Sequence, residues 1–279
     1  MAQRKLGKRL PSYSEYLKLD QILRLQSPVS SPPQHDELLF VVAHQTYELW
    51  FKLMLSEIDG AVAAMKQVEP REASRLLRRV VAILHVLTQQ LEVLETIRPG
   101  DFAKFRDSLR PASGFQSTQF REIEFVSGQK DPRFLELHKD DPVAFRALST
   151  RLDSPSLWDA YCGVMSSREL LPRSESGRWS TRAQLAGVKR AFSSEDTADV
   201  ADLADALLEY DEAFWLWRNH HVGMVERIIG RSVGTGSAYV GETLGKKSFQ
   251  RSGVAYLKTT LRRRFYPVLW AARTKDAGN

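Results

Sequence analysis

The sequence predicts an all-α protein, a single domain of long packed helices over residues 1–279 with few or no strands. Apolar residues recur at intervals of three and four along three long stretches, which is the period of one helix face. No stretch shows the alternation of apolar and polar residues, bounded by turns, that indicates a β-hairpin. Glycine and proline cluster between the long stretches and mark the connections.

The first two long stretches predict two helices that pack against each other. Residues 36–65 carry one periodic apolar face, formed by Phe40, Tyr47, Phe51, Met54 and Ile58. Residues 71–97 carry a second face with spacings of four, three, four and three, formed by Val80, Leu84, Leu87, Leu91 and Leu94. Faces of this width bury themselves against another helix.

A third long helix is predicted over residues 194–231. One uninterrupted apolar seam follows it, formed by Val200, Leu203, Leu207, Tyr210, Phe214, Trp217, Met224 and Ile228. His221 occupies the only seam position that does not hold an apolar or aromatic residue, and His220 lies about 100° away from it. His221 is therefore expected to point inward, and His220 toward the margin of the helix.

An inward-facing imidazole allows two interpretations. It can be a core histidine bonded to a backbone carbonyl, or a neutral imidazole that binds a metal. Residues 215–230 contain no HxxxH or HExxH pair that would supply a second zinc ligand. A single imidazole in an aromatic groove does suit a haem iron, because the porphyrin supplies four further nitrogens.

The first long helix repeats this pattern at His44. Phe40, His44, Tyr47 and Phe51 share one stripe, so His44 is also expected to face the core. A core histidine and a functional one remain alternatives here.

Residues 102–125 suggest a binding site for an anionic ligand. Phe102 and Arg106 are one helical turn apart, and PASG, residues 111–114, interrupts the helix before another begins near Gln116. The planar guanidinium of Arg106 could bind a substrate carboxylate. Alternatively, Arg106 could pair with Asp107 or Glu122 at the surface.

Composition limits the classes of protein to which the chain can belong. The single cysteine, Cys162, excludes an intramolecular disulfide, and the N-terminus shows no signal peptide, so a cytoplasmic protein is expected. The longest apolar run, residues 38–43, is too short to cross a bilayer. The net charge is +6, but the basic residues are dispersed, so no nucleic-acid partner is expected. The glycine-rich residues 233–241 do not match a phosphate-binding loop.

Four motifs together resemble a known family. HDELLFVVAHQTYELWFK, FRDSLRPASGFQSTQFREIEF, LWRNHHVGMVERIIG and GTG, in this order, are similar to the tryptophan 2,3-dioxygenases and, more broadly, to the haem-dependent aromatic oxygenases. The resemblance extends over nearly the whole chain. It implies an all-α domain that encloses a b-type haem, uses O2 as co-substrate, and opens the indole ring of L-tryptophan to give N-formyl-kynurenine.

The resemblance also assigns roles to residues. It implies that His221 is the axial ligand of the haem iron and that His44 faces the indole N–H. It implies that Arg106 holds the amino-acid carboxylate, while Thr235 belongs to a substrate-closing loop. The other substrate-binding positions that it implies are Phe40, Phe102, Ser113, Gly114, Tyr13, Tyr16 and Leu17.

The resemblance further implies a homotetramer in which residues 1–30 reach the active site of a neighbouring subunit. A sensor that binds haem without turnover would not need a group that holds an amino acid.

The sequence departs from the family pattern in two places. The closing loop, residues 234–252, carries an insertion, and Asn219 and His220 replace an aromatic residue and an arginine that are usual before the axial histidine. An altered loop is compatible with a different reaction. The alternative is monooxygenation of tryptophan or β-methyl-tryptophan to a 2-oxindole in secondary metabolism.

Overall fold

A computed structural model of the chain describes residues 10–172, 174, 177–230 and 253–273. Within these ranges all regular secondary structure is helical and no strand occurs, which confirms the predicted all-α class. The α-helices are α1 (Tyr13–Leu17), α2 (Leu19–Ile22), α3 (His35–Lys66), α4 (Pro70–Leu94), α5 (Pro99–Arg106), α6 (Thr118–Val126), α7 (Pro142–Asp153), α8 (Leu157–Ser167), α9 (Thr181–Ala191), α10 (Ala198–Ile229), α11 (Gly253–Thr260) and α12 (Pro267–Ala272).

Three long helices form the centre of the molecule. α4 packs along both α10 and α3, and these are the most extensive helix contacts. The apolar seam predicted for residues 71–97 is buried throughout, and so is every apolar member of the α10 seam. His220 is exposed, whereas His221 is partly exposed because it lines the internal cavity described below. The pairing of apolar helix faces therefore builds the core, and that core is interrupted at His221.

The segment before α3 is fixed to that helix by two side chains. The buried carboxylate of Glu37 accepts the backbone N–H of Val29 at 2.6 Å and that of Ser30 at 3.1 Å. Gln45 donates to the carbonyl of Leu25 at 2.9 Å and accepts from Gln26 at 2.7 Å. Charged and polar partners of this kind satisfy backbone groups that no regular structure pairs.

The connection between α5 and α6 holds its shape through serine caps. The Ser113 hydroxyl accepts the N–H of Phe115, while the Ser113 N–H donates to the Gln116 side chain at 3.0 Å. The Ser117 hydroxyl then accepts the N–H of Phe120 and starts α6. These reciprocal bonds satisfy the first free N–H groups of each helical turn.

The C-terminal part of the chain is bound to α10 through a buried carboxylate. Asp211 accepts the N–H groups of Phe265 at 3.0 Å and Tyr266 at 3.2 Å, and the indole N–H of Trp270 at 2.8 Å. Three donors compensate the loss of water around this carboxylate. The residues that lead into α12 are thereby held against the middle of α10.

No described helix alone is both long and apolar enough to cross a bilayer. α4 and the helical segment after it reach that length and composition only together, and they are bent by 92° at the break between them.

Candidate active site

A cavity lies where α3, α4, α5, α6, α10 and α11 converge. It offers about 280 Å³ to the centres of water molecules. At about 30 Å³ per water in the liquid, this volume corresponds to roughly nine waters. Aromatic rings form much of its wall, namely Phe40, Tyr47, Phe51, Phe102, Phe115, Phe120, Trp217 and Tyr256. A mostly apolar cavity of this size suits a large planar ligand.

His221 and its neighbours on α10 and α3 form one wall of this cavity. The ring of Trp217 stacks on the imidazole of His221, with centroids 5.1 Å apart and planes 11° apart. Trp217 Nε1 donates to the Tyr47 hydroxyl at 3.2 Å, and that hydroxyl donates to the Leu87 carbonyl at 2.6 Å. Stacking on Trp217 therefore fixes the orientation of the His221 ring, and the two hydrogen bonds of the Tyr47 hydroxyl fix the position of Trp217.

The electrostatic environment keeps His221 neutral. Burial, together with the nearby His44, lowers the pKa of His221 to about 4. A neutral imidazole carries a lone pair that can bind a metal. In the described part of the chain, no three His, Cys, Asp or Glu side chains come together as a metal site. His221 thus fits a prosthetic group that brings its own equatorial ligands, and the aromatic walls of the cavity fit a haem.

His44 faces the same cavity from α3. Its Nδ1 lies 2.7 Å from the carbonyl of Phe40, and its ring lies 4.0 Å from the Phe40 ring. Because a carbonyl only accepts, Nδ1 carries the proton and Nε2 of the neutral ring remains an acceptor. His44 is exposed, but it lines the cavity rather than the outer surface of the protein. Burial lowers the pKa of its imidazole. His44 can therefore accept a hydrogen bond from a ligand N–H.

Arg106 lines the cavity, and its Nε and Nη2 are buried and make no hydrogen bond to any residue that the structure describes. The two surface partners considered from the sequence are occupied elsewhere, because Asp107 pairs with Arg110 at 3.3 Å and Glu122 pairs with Arg151 at 3.1 Å. Of the two alternatives for Arg106, the structure therefore does not show the surface ion pair with Asp107 or Glu122. A guanidinium with free donors is suited to a carboxylate.

The remaining predicted positions divide into three groups. Phe40 and Phe102 contact each other, with ring centroids 5.7 Å apart, and both line the cavity, as do Ser113 and Gly114. Tyr13, Tyr16 and Leu17 lie on the exposed α1 and are 75%, 74% and 40% exposed, so within one chain they do not reach the cavity. Thr235 and the closing loop, residues 234–252, lie outside the described residues.

Sequence reasoning missed a buried polar group in the cavity wall. Arg121 and Glu124 on α6 and Arg218 on α10 all line the cavity and are 4%, 6% and 4% exposed. The i,i+3 spacing of Arg121 and Glu124 between apolar residues was a signal that could have identified this group. Arg218 directly follows Trp217 on the seam, but its pairing with α6 could not be read from local spacing.

Comparison with known proteins agrees with this arrangement. A family model described as Tryptophan 2,3-dioxygenase matches residues 2–149. Curated relatives include a tryptophan 2,3-dioxygenase of Nocardioides sp., 42% identical over 271 residues, which cover 95% of this chain and 94% of that protein. The enzymes of the same name from Herpetosiphon aurantiacus (40% identical; 94% of this chain, 97% of that protein) and Caulobacter vibrioides (38% identical; 95% and 98%) are also similar. The chain belongs to the tryptophan 2,3-dioxygenase family.

Proposed function

We propose that this protein is a haem-dependent oxygenase that uses O2 to cleave the C2–C3 bond of the indole ring of L-tryptophan and forms N-formyl-kynurenine. One observation carries the proposal. One cavity brings together three groups: the neutral imidazole of His221, the acceptor imidazole of His44, and the guanidinium of Arg106. Among the described residues, no cluster of metal ligands surrounds His221, and Nε and Nη2 of Arg106 have no partner. These groups complement a haem, an indole N–H and a carboxylate.

The proposed cofactor is haem b, whose iron His221 would hold. When bound, the haem supplies the activation of O2 that no amino-acid side chain can provide. The task of Trp217 and Tyr47 is to hold the His221 ring in one orientation. The task of the aromatic walls is to exclude water from the site.

The proposed substrate contacts follow from the polar groups of the cavity. Arg106 binds the carboxylate of the amino acid, and Phe40 and Phe102 flank the indole. The indole N–H donates to Nε2 of His44, whose proton on Nδ1 is held by the Phe40 carbonyl. His44 thus orients the ring and need not remove a proton. Binding both ends of the substrate supplies the positioning that the reaction requires.

Ser113 and Gly114, in the connection between α5 and α6, line another side of the cavity. Space is open where a side chain on Gly114 would begin, since no atom lies within 4 Å of that point. We infer that this connection lies over the bound ligand, and that Thr235 of the closing loop, residues 234–252, contacts the amino-acid end.

The assembly is also a proposal. Exposed apolar side chains on α1, among them Tyr13, Tyr16 and Leu17, favour a homotetramer in which residues 1–30 complete a neighbouring active site. The whole chain is proposed to act as one domain. Its buried, unpaired Cys162 suits a reducing cytoplasm.

Oxygen labelling tests the reaction. The reduced, haem-loaded protein is supplied with 18O2 and with L-tryptophan or β-methyl-tryptophan, and the product masses are measured. Two labelled atoms in N-formyl-kynurenine are expected. One labelled atom in a 2-oxindole would instead establish the monooxygenase alternative, which the names of the relatives do not support. Absence of O2 consumption with either compound would overturn the substrate assignment.

A further inference from the structure

The buried polar group in the cavity wall holds more positive than negative charge. Arg121 pairs through Nη1 with Glu124, and Arg218 Nη2 donates to the same carboxylate at 2.9 Å. Arg218 also donates to Gln129 at 2.9 Å and to the carbonyl of Arg263 at 3.4 Å. Two guanidinium groups thus share one carboxylate. One buried positive charge remains without a counterion among the described residues.

Arg121 is the charged member of this group that has an unsatisfied donor; the neutral amide nitrogen of Gln129 is unsatisfied as well. Among the described residues, Nε of Arg121 is buried without a hydrogen-bond partner, and its guanidinium bonds only to Glu124. The rings of Phe134 and Phe120 lie 3.9 and 5.1 Å from its guanidinium carbon. Aromatic rings stabilise the face of a guanidinium, but they offer no acceptor to the N–H groups at its edge. Arg121 is therefore placed to bind an anion.

Leaving a buried charge uncompensated is expensive, and an incoming anion would remove that cost. The cavity contains two guanidinium groups with free donors, Arg106 on α5 and Arg121 on α6. The proposed substrate brings one carboxylate, which Arg106 accounts for. Haem b brings two more, on its propionate arms.

We propose that Arg121, held in place by Glu124 and supported by Arg218, binds a propionate carboxylate of the haem. This inference rests on the proposed function, because it assumes that a haem occupies the cavity. It adds a second carboxylate site, separate from Arg106, and assigns it to the prosthetic group. Arg121 is then a binding residue for the cofactor.

The test compares haem with haem dimethyl ester, in which both propionates are neutral. The dissociation constant of each is measured by titrating the haem-free protein and following the Soret band. For the wild type we expect the ester to bind about ten-fold to one-hundred-fold more weakly, the loss expected for one charged hydrogen bond. For Arg121→Met we expect this ratio to fall to about two or less, since an exposed carboxylate contributes little.

Arg106→Met is the matched control, because Arg106 is also an unpartnered guanidinium of the same cavity. It is expected to keep the wild-type ratio between haem and its ester. Arg121→Met leaves Glu124 paired with Arg218, so it creates no unpaired carboxylate. If that variant does not fold, Arg121→Lys, which keeps the charge without the planar fork, is expected to give an intermediate ratio.

Two results would overturn the inference. The wild type could bind the ester as tightly as haem, or folded Arg121→Met could keep the full ratio. If Arg121→Met kept the ratio and also lost the preference for L-tryptophan over its methyl ester, the site would be assigned to the amino acid. If the wild type did not shift the Soret band of added haem, the proposed function would fail, and this inference with it.

Discussion

Replacing Arg106 by methionine is expected to leave the haem-free protein as stable as the wild type or more stable. The buried Nε and Nη2 of Arg106 have no partner, and a buried polar atom without a partner costs about 1–3 kcal/mol. Methionine removes that cost and keeps an unbranched side chain in an aromatic cavity. Since Arg106 is partly exposed, we expect the free energy of unfolding to change by between zero and about +1 kcal/mol.

Arg151 provides a control in which the same substitution should have the opposite sign. Its guanidinium donates to Asp59 at 2.7 Å and to Glu122 at 3.1 Å, and its side chain is only 20% exposed. Arg151→Met is therefore expected to lower the free energy of unfolding by about 1–3 kcal/mol, because it leaves Glu122 without its partner.

Two measurements test the stability effect and the substrate-binding role of Arg106. Urea unfolding of the haem-free variants, followed by circular dichroism, gives the free energies of unfolding. Perturbation of the Soret band by L-tryptophan gives the affinity of the haem-loaded proteins, which Arg106→Met should lower about one-hundred-fold or more through loss of a paired charged hydrogen bond. If Arg106→Met destabilised the protein as much as Arg151→Met, Arg106 would have a structural partner and the reasoning would be refuted. Unchanged tryptophan affinity would refute its role as carboxylate clamp.

Three further predictions concern the histidines and the stacked pair. His221→Ala should abolish the wild-type Soret spectrum while the protein stays folded; an unaltered spectrum would mean that another residue binds the iron. Tyr47→Phe leaves Trp217 Nε1 unpaired, so it should lower the free energy of unfolding by about 1–3 kcal/mol and shift the haem spectrum. Tyr161→Phe is the control, because it loses a longer hydrogen bond of 3.4 Å outside the cavity and should leave the haem spectrum unchanged. Burial, followed by the charge of a nearby arginine, lowers the pKa of His138, so the unfolded state binds a proton at this side chain at a higher pH than the folded state does. The contribution of His138 to the free energy of unfolding should decrease as the pH falls below about 6.5, by at most about 1.4 kcal/mol per pH unit, in addition to the contributions of His44 and His221, whose pKa values are also lowered. His138→Gln should reduce the total slope in urea titrations at several pH values, and an unchanged slope would refute the assignment.

The long helices could be predicted because their information is local. Burial of one face imposes a period of three and four, so the seam of α10 and the inward position of His221 could be read from spacing alone. The unpaired donors of Arg106 could not be predicted from spacing. Asp107 and Glu122 were reasonable partners for Arg106, but Asp107 pairs locally with Arg110, and only the fold shows that Arg151 pairs with Glu122.

The same limit applies to the pairing of Arg218 with Glu124. These residues are 94 positions apart, and their contact depends on how α6 crosses α10. Spacing within a helix identifies which face is buried, but it does not identify the partner on another helix. The local spacing of Arg121 and Glu124 could therefore indicate an ion pair on α6, but not the second guanidinium that leaves one positive charge without a counterion among the described residues.

The cavity works against the stability of the isolated chain. Around it, α3, α4 and α10 follow the rules of helix packing closely, with apolar seam positions that are almost fully buried. Leucine at position 221 and methionine at position 106 would obey the same rules better, since they would remove a buried imidazole and an unpartnered guanidinium. Departures from local rules that have no structural compensation are expected at functional sites. A ligand that binds these groups raises the free energy of unfolding by mass action. The increase is about 4 kcal/mol at a free ligand concentration one thousand times the dissociation constant. Haem should therefore raise the resistance of this protein to urea, and it should do so less for any variant that removes one of the groups it contacts.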